Sequence, residues 1–203
     1  MRLRRFEPLA RRLLAARHQV GPELQGELIL FVHRLGGTTS ATADDRVALV
    51  EEGLAALRDD GPIAIRAQLH AALAGELYHG DVLRADHDPA AEAATAWTLA
   101  LQSGDAATRA WSLRALHDIE WRPGTAARRL ALAEEMVACL DGTTRYEEMA
   151  EALLARFAAY LELGDLRADR EFDRFGPPLA RRSNSFAQGG QEPLGVAAVL
   201  NHS

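Results

Sequence analysis

A helix end recurs in this sequence, first in Ala74-Gly-Glu-Leu-Tyr-His-Gly-Asp81 and again in Ala158-Ala-Tyr-Leu-Glu-Leu-Gly-Asp165. In each segment an apolar helical pattern gives way to the pair Gly-Asp. Glycine tolerates the left-handed backbone that often ends a helix, and the aspartate can cap the next helix. A third end, Trp121-Arg-Pro-Gly124, lies between them, so that the glycines are spaced by 44 and 40 residues. This period indicates helix pairs that stack on their neighbours.

Helix signals continue outward from these segments, because apolar residues recur at helical spacing and Gly, Pro, Asp or Thr marks each break. The first two helices are predicted over 6–19 and 22–35. The later starts are predicted at Thr42-Ala-Asp-Asp45, Asp60-Gly-Pro62, Asp88-Pro89, Gly104-Asp105, Pro123-Gly-Thr125 and a capping box at Thr144-Arg-Tyr-Glu147. A charged helix is expected from Gly164-Asp165 to about residue 174. β-Branched and aromatic residues do not alternate, so no strand is expected.

The predicted fold class is therefore all-α, a TPR-like antiparallel helix-pair repeat (an α-solenoid) of about eight or nine helices. A helical bundle without repeats is the alternative. The predicted organisation is an N-terminal helical pair over 1–37, a repeat domain over 38–175 and a loop-rich or disordered tail over 176–203, where Gly, Pro, Ser and Gln accumulate.

Composition limits the class of protein. The net charge of −6 argues against a nucleic-acid platform, so no direct nucleic-acid partner is expected. All basic residues are Arg, which together with abundant Ala is typical of a GC-rich bacterial genome. The single cysteine, Cys139, permits no intrachain disulfide, and no apolar run reaches the roughly 18 residues of a membrane span. A cytoplasmic protein without a signal peptide is the expectation.

Residues 65 to about 175 resemble the TPR-like region of large actinobacterial ATP-binding transcriptional regulators of the LuxR and antibiotic-regulator types. The segments that carry the resemblance are Ala71-Ala-Leu-Ala-Gly-Glu-Leu-Tyr78, Ala96-Trp-Thr-Leu-Ala-Leu-Gln-Ser-Gly-Asp105, Arg114-Ala-Leu-His117, Trp121-Arg-Pro-Gly124, Arg129-Leu-Ala-Leu-Ala-Glu-Glu-Met136 and Tyr160-Leu-Glu-Leu-Gly-Asp165. In that family the helical array is a sensor or interaction arm, which implies a regulatory role here.

The chain departs from that family in what it lacks. There is no Gly-x-x-x-x-Gly-Lys-Ser/Thr phosphate loop and no recognisable helix-turn-helix in this sequence, so the ATPase and DNA-binding modules are missing. We expect either a fragment of a larger regulator or a relative that consists of the arm.

Polar clusters in the sequence do not specify a reaction. His70, His79 and His117 lack the i, i+3 or i+4 spacing of helical metal ligands, and the acidic loop around Asp88 is better explained by helix capping. Cys139 lies in an apolar helix and favours a buried thiol. The basic residues of the N-terminal segment, including Arg17, favour a solvated helix surface. No cofactor, metal or catalytic residue is predicted.

Large aromatics offer the candidate binding site. Its predicted members, which would line a groove, are Tyr78, Trp97, Trp111, His117 and Trp121. Packing between helices is the competing explanation for these side chains. The leading hypothesis is a non-enzymatic module that binds a protein or peptide partner or a small apolar effector.

Two other functions stay open at this point. One is a small biosynthetic enzyme with a helix-lined apolar cavity, whose polar groups would be His70, His79, His117 and Glu120. The other is an architectural homodimer that pairs through the apolar run Leu28-Ile-Leu-Phe-Val32.

Overall fold

The computed structural model describes residues 6–34, 41–80 and 87–171, and every element of secondary structure in these ranges is helical. The helices are α1 (Phe6–Ala16), α2 (Pro22–Arg34), α3 (Ala43–Leu57), α4 (Ile63–His79), α5 (Pro89–Ser103), α6 (Ala106–Ile119), α7 (Ala126–Leu140) and α8 (Tyr146–Leu163). A 3₁₀ turn, Arg17–Gln19, follows α1, and helical backbone resumes at residues 167–171. The all-α prediction is confirmed. The predicted tail over 176–203 lies outside the described residues.

Most predicted helix boundaries are confirmed by the caps. Thr42 and Asp45 form a capping box at α3, Asp88 caps α5, and Asp105 caps α6 by accepting a hydrogen bond from the Thr108 amide. Gly164 ends α8 with a φ of 65°, in the left-handed region. These side-chain caps satisfy backbone N–H groups that have no partner inside the first helical turn.

Two local predictions were wrong. The capping box at Thr144–Glu147 does not form, because α8 begins at Tyr146 and Arg145 occupies the cap position without a side-chain cap bond. The preceding turn extends further than expected, since both the Thr143 amide and its hydroxyl donate to the Leu140 carbonyl. Gly80 is not left-handed: its φ is −79°, and its amide continues the helical pattern by donating to the Glu76 carbonyl.

The helices divide into two compact units, one containing the described residues up to Glu120 and the other those from Trp121 onward. The predicted boundaries at 37/38 and 175/176 both fall outside the described residues, and that partition stays a prediction.

The core of the first unit joins α2, α3 and α4. Its larger members, all buried, are Ile29, Leu30, Val47, Val50, Leu57, Ile65, Leu69, Leu73 and Leu77. Gly26 and Gly53 allow the close approach of these helices: a Cβ at Gly26 would lie 2.9 Å from Ile65 Cγ2, and one at Gly53 would lie 3.0 Å from Ile29 Cδ1. Trp111 of α6 packs against this core.

Alanines join α4 to α5 and α6 in a second cluster of the first unit. Its buried members are Ala71, Ala74, Ala93, Ala96 and Ala115. Small side chains let helix axes approach closely, which explains why an alanine-rich sequence forms a packed interface here.

In the second unit, α7 packs against α8, and the cluster of Leu130, Ala159, Tyr160 and Ala168 is supported by Phe157. The guanidinium of Arg129 is completely buried in this unit.

The run Leu28–Val32 contributes chiefly to the core. Ile29, Leu30 and Val32 are buried, and the apolar side chains that α2 exposes are Leu24 and Phe31. In the described part of the chain, no helix combines the length and apolar character needed to cross a membrane.

Candidate functional site

A cleft of about 290 Å³ lies among α1, α2 and α3 of the first unit, and we refer to it as the α1–α3 cleft. Its apolar lining is formed by Leu14, Val32, Ala41, Ala48, Leu49 and Val50. Its polar lining is formed by Arg17, His33, Asp45, Arg46 and Glu52. Its volume is close to the lower end of the range of about 300–1,000 Å³ that is typical of small-molecule pockets. The lining, largely apolar with a few polar groups, is also typical of such pockets.

An ion pair at the α1 side of the cleft joins the 3₁₀ turn to α3. Arg17 donates through Nε and Nη2 to the two carboxylate oxygens of Glu52, at 2.8 Å each, and through Nη1 to the Leu14 carbonyl. The buried Gln25 adds a third hydrogen bond to Glu52, at 2.7 Å. The hydrogen bond from Arg17 holds the pKa of Glu52 below its ordinary value. Bidentate pairing of this kind fixes both side chains.

A second polar group, which we call the Glu76 cluster, consists of Glu76, His33 and Arg46. His33 Nδ1 lies 2.9 Å from Glu76 Oε1, and Arg46 Nε donates to Oε2 at 2.8 Å. Arg46 Nη1 also donates to the Ala41 carbonyl. The cluster therefore connects α2, α3 and α4 through one buried carboxylate.

Glu76 is ionised in this setting. Burial alone would raise its pKa, but the hydrogen bonds from His33 and Arg46 and the nearby charges outweigh burial, so the pKa lies below its ordinary value. An ionised carboxylate can only accept hydrogen bonds, and His33 Nδ1 must therefore carry the proton. In the neutral ring, this leaves Nε2 as a hydrogen-bond acceptor.

The Glu76 cluster also touches α6. The His33 ring contacts Trp111 edge-on, with centroids 6.1 Å apart, and the Arg34 guanidinium lies 4.4 Å above the centre of the indole. His33 also lines the cleft, so this one side chain lies between the cleft and Trp111 of α6.

Two other carboxylates, the half-buried Glu92 and the buried Asp118, hold histidines in a similar way. Glu92 accepts from His70 Nδ1 and His87 Nδ1, at 2.7 Å each. Asp118 bonds His79 and His117 at 3.2 Å each. For both carboxylates, burial would raise the pKa, but other interactions outweigh it and the pKa is lowered. At Glu92 these are the hydrogen bonds from His70 and His87 and their charges; at Asp118 they are the hydrogen bonds from His117, His79 and Arg114 and the charge of Arg114. These groups join α4 to α5 and to α6 and do not line the cleft.

The residues of the predicted aromatic groove lie at several places. Tyr78 and Trp97 are half-buried on α4 and α5, and His117 is buried on α6. The Tyr78 ring contacts His79. Because His79 and His117 both bond Asp118, the predicted residues Tyr78 and His117 belong to one network of contacts. Trp111 packs against the first core, as described above.

Trp121 belongs to the second unit and is 52% exposed, and the Arg129 guanidinium lies 4.3 Å from its ring centre. The described residues that line the α1–α3 cleft include none of the five predicted groove residues. The groove stays a prediction, and the cleft is a different site.

The four polar groups proposed for an enzyme, His70, His79, His117 and Glu120, are also not among the described residues that line this cleft. Within the described ranges, no set of three or more His, Cys, Asp or Glu side chains is placed to hold a metal ion. Asp81 and Asp86 of the acidic loop lie outside those ranges, and Asp88 caps α5 as expected.

Comparison with protein-family models, with curated proteins and with solved structures finds no match to this chain.

The cleft could not be predicted from sequence patterns, because its lining comes from three helices and two of its polar residues, His33 and Arg46, pair with Glu76 across 43 and 30 positions. One signal was available. Glu76 lies between Leu73 and Leu77 on the apolar face of α4, and a carboxylate on such a face requires buried partners. Arg17, interpreted as part of a solvated basic surface, is instead the partner of Glu52.

Proposed function

We propose that the chain is a non-enzymatic, effector-sensing helical module of the TPR-like type, which binds a small molecule in the α1–α3 cleft. The observation that carries the proposal is the position of His33, which lines the cleft and contacts both Glu76 and Trp111. An effector there can act on α2, α4 and α6 together. The helix-pair pattern and the resemblance to regulator arms support the TPR-like and regulatory parts of the proposal.

Native mass spectrometry of the purified chain against a bacterial metabolite extract tests this function. The cleft is blocked by Ala48→Phe, since Ala48 lines it, and Ala55→Phe serves as the matched control. Both alanines are exposed on α3 and lie seven residues apart, on nearly the same face of the helix, but Ala55 is outside the cleft.

We expect a discrete added mass on the wild type and on Ala55→Phe, and its loss from Ala48→Phe. A mass that persists in Ala48→Phe would contradict binding in the cleft. No added mass on the wild type would contradict the effector-sensing proposal.

Binding of a protein or peptide partner is the second candidate function. Exposed leucines of the second unit favour it: Leu154, Leu161, Leu163 and Leu166. Affinity capture with the wild type and with Leu154→Glu/Leu161→Glu tests this role. Proteins retained by the wild type alone would support it, and identical sets would contradict it.

The enzyme and homodimer alternatives each have a decisive measurement. Chemical turnover of a molecule bound in the cleft would favour a small all-α enzyme. Sedimentation over a dilution series measures the mass of the chain in solution. The homodimer is favoured if this mass falls from dimer to monomer on dilution and if the Phe31→Glu variant is a monomer at every concentration.

A further inference from the structure

We infer that the α1–α3 cleft takes an uncharged, mostly apolar molecule with one hydroxyl or N–H group, which donates a hydrogen bond to His33 Nε2. This inference rests on the proposed function and specifies the chemical class of the effector.

The pairing of the charged side chains in the lining favours an uncharged molecule. Both oxygens of Glu52 are occupied by Arg17, and Arg46 is paired with Glu76. Asp45 accepts from the amide and hydroxyl of Thr42. The charged side chains of the lining therefore already have partners: Arg17 and Glu52 pair with each other, Arg46 pairs with Glu76, and Asp45 is bonded to Thr42. A charged molecule would have to break one of these pairs or lose its hydration without a new partner, and both cost free energy.

The apolar part of the lining favours a mostly apolar molecule. Leu14, Val32, Leu49 and Val50 provide hydrocarbon surface, and the cleft volume of about 290 Å³ suits a molecule smaller than a typical cofactor. Burial of apolar surface would then supply most of the affinity, at roughly 25 cal/mol per Å².

The tautomer of His33 favours a molecule that donates a hydrogen bond. Because the Glu76 carboxylate accepts from Nδ1, the lone pair lies on Nε2 whenever the imidazole is neutral, and Nε2 has no hydrogen-bond partner among the described residues. An acceptor of this kind selects a molecule that can donate and gives no advantage to an ether or a carboxylate.

Three aliphatic probes of similar length test the inference: octan-1-ol, its isomer 1-methoxyheptane, and octanoate. The alcohol donates, the ether accepts only, and the octanoate carries a charge. Dissociation constants are measured by isothermal titration calorimetry at neutral pH on the full chain. We expect octan-1-ol to bind about five- to ten-fold more tightly than either of the other probes, the ratio given by one net hydrogen bond.

Variants at His33 locate the effect. His33→Asn retains an amide that can donate to Glu76 but has no group at the position of Nε2, so the preference for the alcohol should disappear. His33→Gln places an amide oxygen near the Nε2 position and should restore part of that preference. His70→Asn is the matched control, because His70 also bonds a carboxylate, the half-buried Glu92, through Nδ1 and has similar exposure but lies outside the cleft.

The outcomes separate the two proposals. If octanoate or the ether binds wild type as tightly as the alcohol, and Ala48→Phe abolishes that binding, the chemical class is wrong while the cleft remains a binding site. An alcohol preference that survives in His33→Asn also overturns the inference. If no probe and no extract component binds, both proposals fail.

Discussion

The imidazole of His33 lies edge-on to the indole of Trp111, with the ring planes at 66°. This contact joins the α1–α3 cleft to α6, since His33 lines the cleft and Trp111 lies on α6. Edge-to-face contacts between rings depend strongly on orientation. We therefore expect a molecule that binds His33 to change the environment of Trp111.

The first prediction is that Trp111 fluorescence reports occupancy of the cleft. In the variant Trp97→Phe/Trp121→Phe, octan-1-ol should produce a saturable change in emission, because Trp111 is the remaining tryptophan. The matched control retains Trp97 alone, through Trp111→Phe/Trp121→Phe, and should give no saturable change. Equal responses in both proteins would contradict the predicted link.

The second prediction concerns the Glu76 cluster. Glu76→Gln removes the counter-charge of Arg46 and the fixed acceptor of His33, so the free energy of unfolding should fall by about 1–3 kcal/mol. Arg46 retains some solvent contact, which keeps the loss below that of a fully buried pair. Urea unfolding followed by circular dichroism measures it. Glu27→Gln, at an exposed position of α2, should change stability by less than about 0.5 kcal/mol. Equal effects of the two substitutions would contradict the assigned role.

The third prediction is a loss of stability in acid. Glu76, Glu92 and Asp118 have lowered pKa values in the folded chain, whereas the ordinary values are 4.5 for Glu and 3.8 for Asp. Between the ordinary and the folded pKa values, the unfolded chain binds more protons, so acid favours unfolding. Their contribution should be complete above about pH 5 and decrease as the pH falls through the folded values.

Urea unfolding at several pH values from about 7 to about 3 measures this dependence. Glu92→Gln should make the dependence on pH shallower, because one of the three carboxylates no longer titrates. A free energy of unfolding that stays constant across the acidic range would contradict the prediction.

The fourth prediction compares two glycines of the first unit that both have open space around them. A Cβ at Gly75 or at Gly104 would meet no heavy atom within 4 Å, but Gly104 has a φ of 69°, whereas Gly75 lies inside α4. Gly75→Ala should stabilise the chain by about 0.5–1 kcal/mol, since it restricts the unfolded chain and suits a helix. Gly104→Ala should destabilise it by about 1–2 kcal/mol through backbone strain. Thermal unfolding of both variants gives the two signs, and a shared sign would contradict the argument.

Local signals explain why the helices were predictable from sequence and the cleft was not. Asp88 and Asp105 cap helices a few residues away, so their roles are contained in short segments of sequence. The Glu76 cluster depends instead on how α2, α3 and α4 pack, which in turn depends on Gly26 and Gly53. Short-range patterns do not specify which polar residues of different helices meet. The capping box at Thr144 failed for a local reason, the longer turn after Leu140.

The last prediction concerns Arg129 of the second unit, whose guanidinium is completely buried. It pairs with Glu162 and lies over the Trp121 ring, and its Nε and Nη1 have no hydrogen-bond partner among the described residues. A buried charge with only some of its hydrogen bonds formed contributes little net stability to the fold. Removal of its counter-charge, in contrast, lowers the free energy of unfolding, because the charge is then buried without a partner. Arg129→Met should therefore leave stability within about 1 kcal/mol of wild type. Glu162→Gln should lower it by about 1–2 kcal/mol, which is less than the roughly 3–5 kcal/mol of a fully buried pair because the Glu162 side chain is 42% exposed.

The stability of these variants is measured by the emission of Trp121 during urea unfolding, in a protein where Trp97 and Trp111 are replaced by Phe. The emission then reports unfolding of the second unit. The double variant Arg129→Met/Glu162→Gln should be as stable as Arg129→Met alone, since no buried charge remains for Glu162 to compensate. If Arg129→Met destabilises the unit more than Glu162→Gln does, Arg129 stabilises the fold through its packing and its ring contact, and the prediction is wrong.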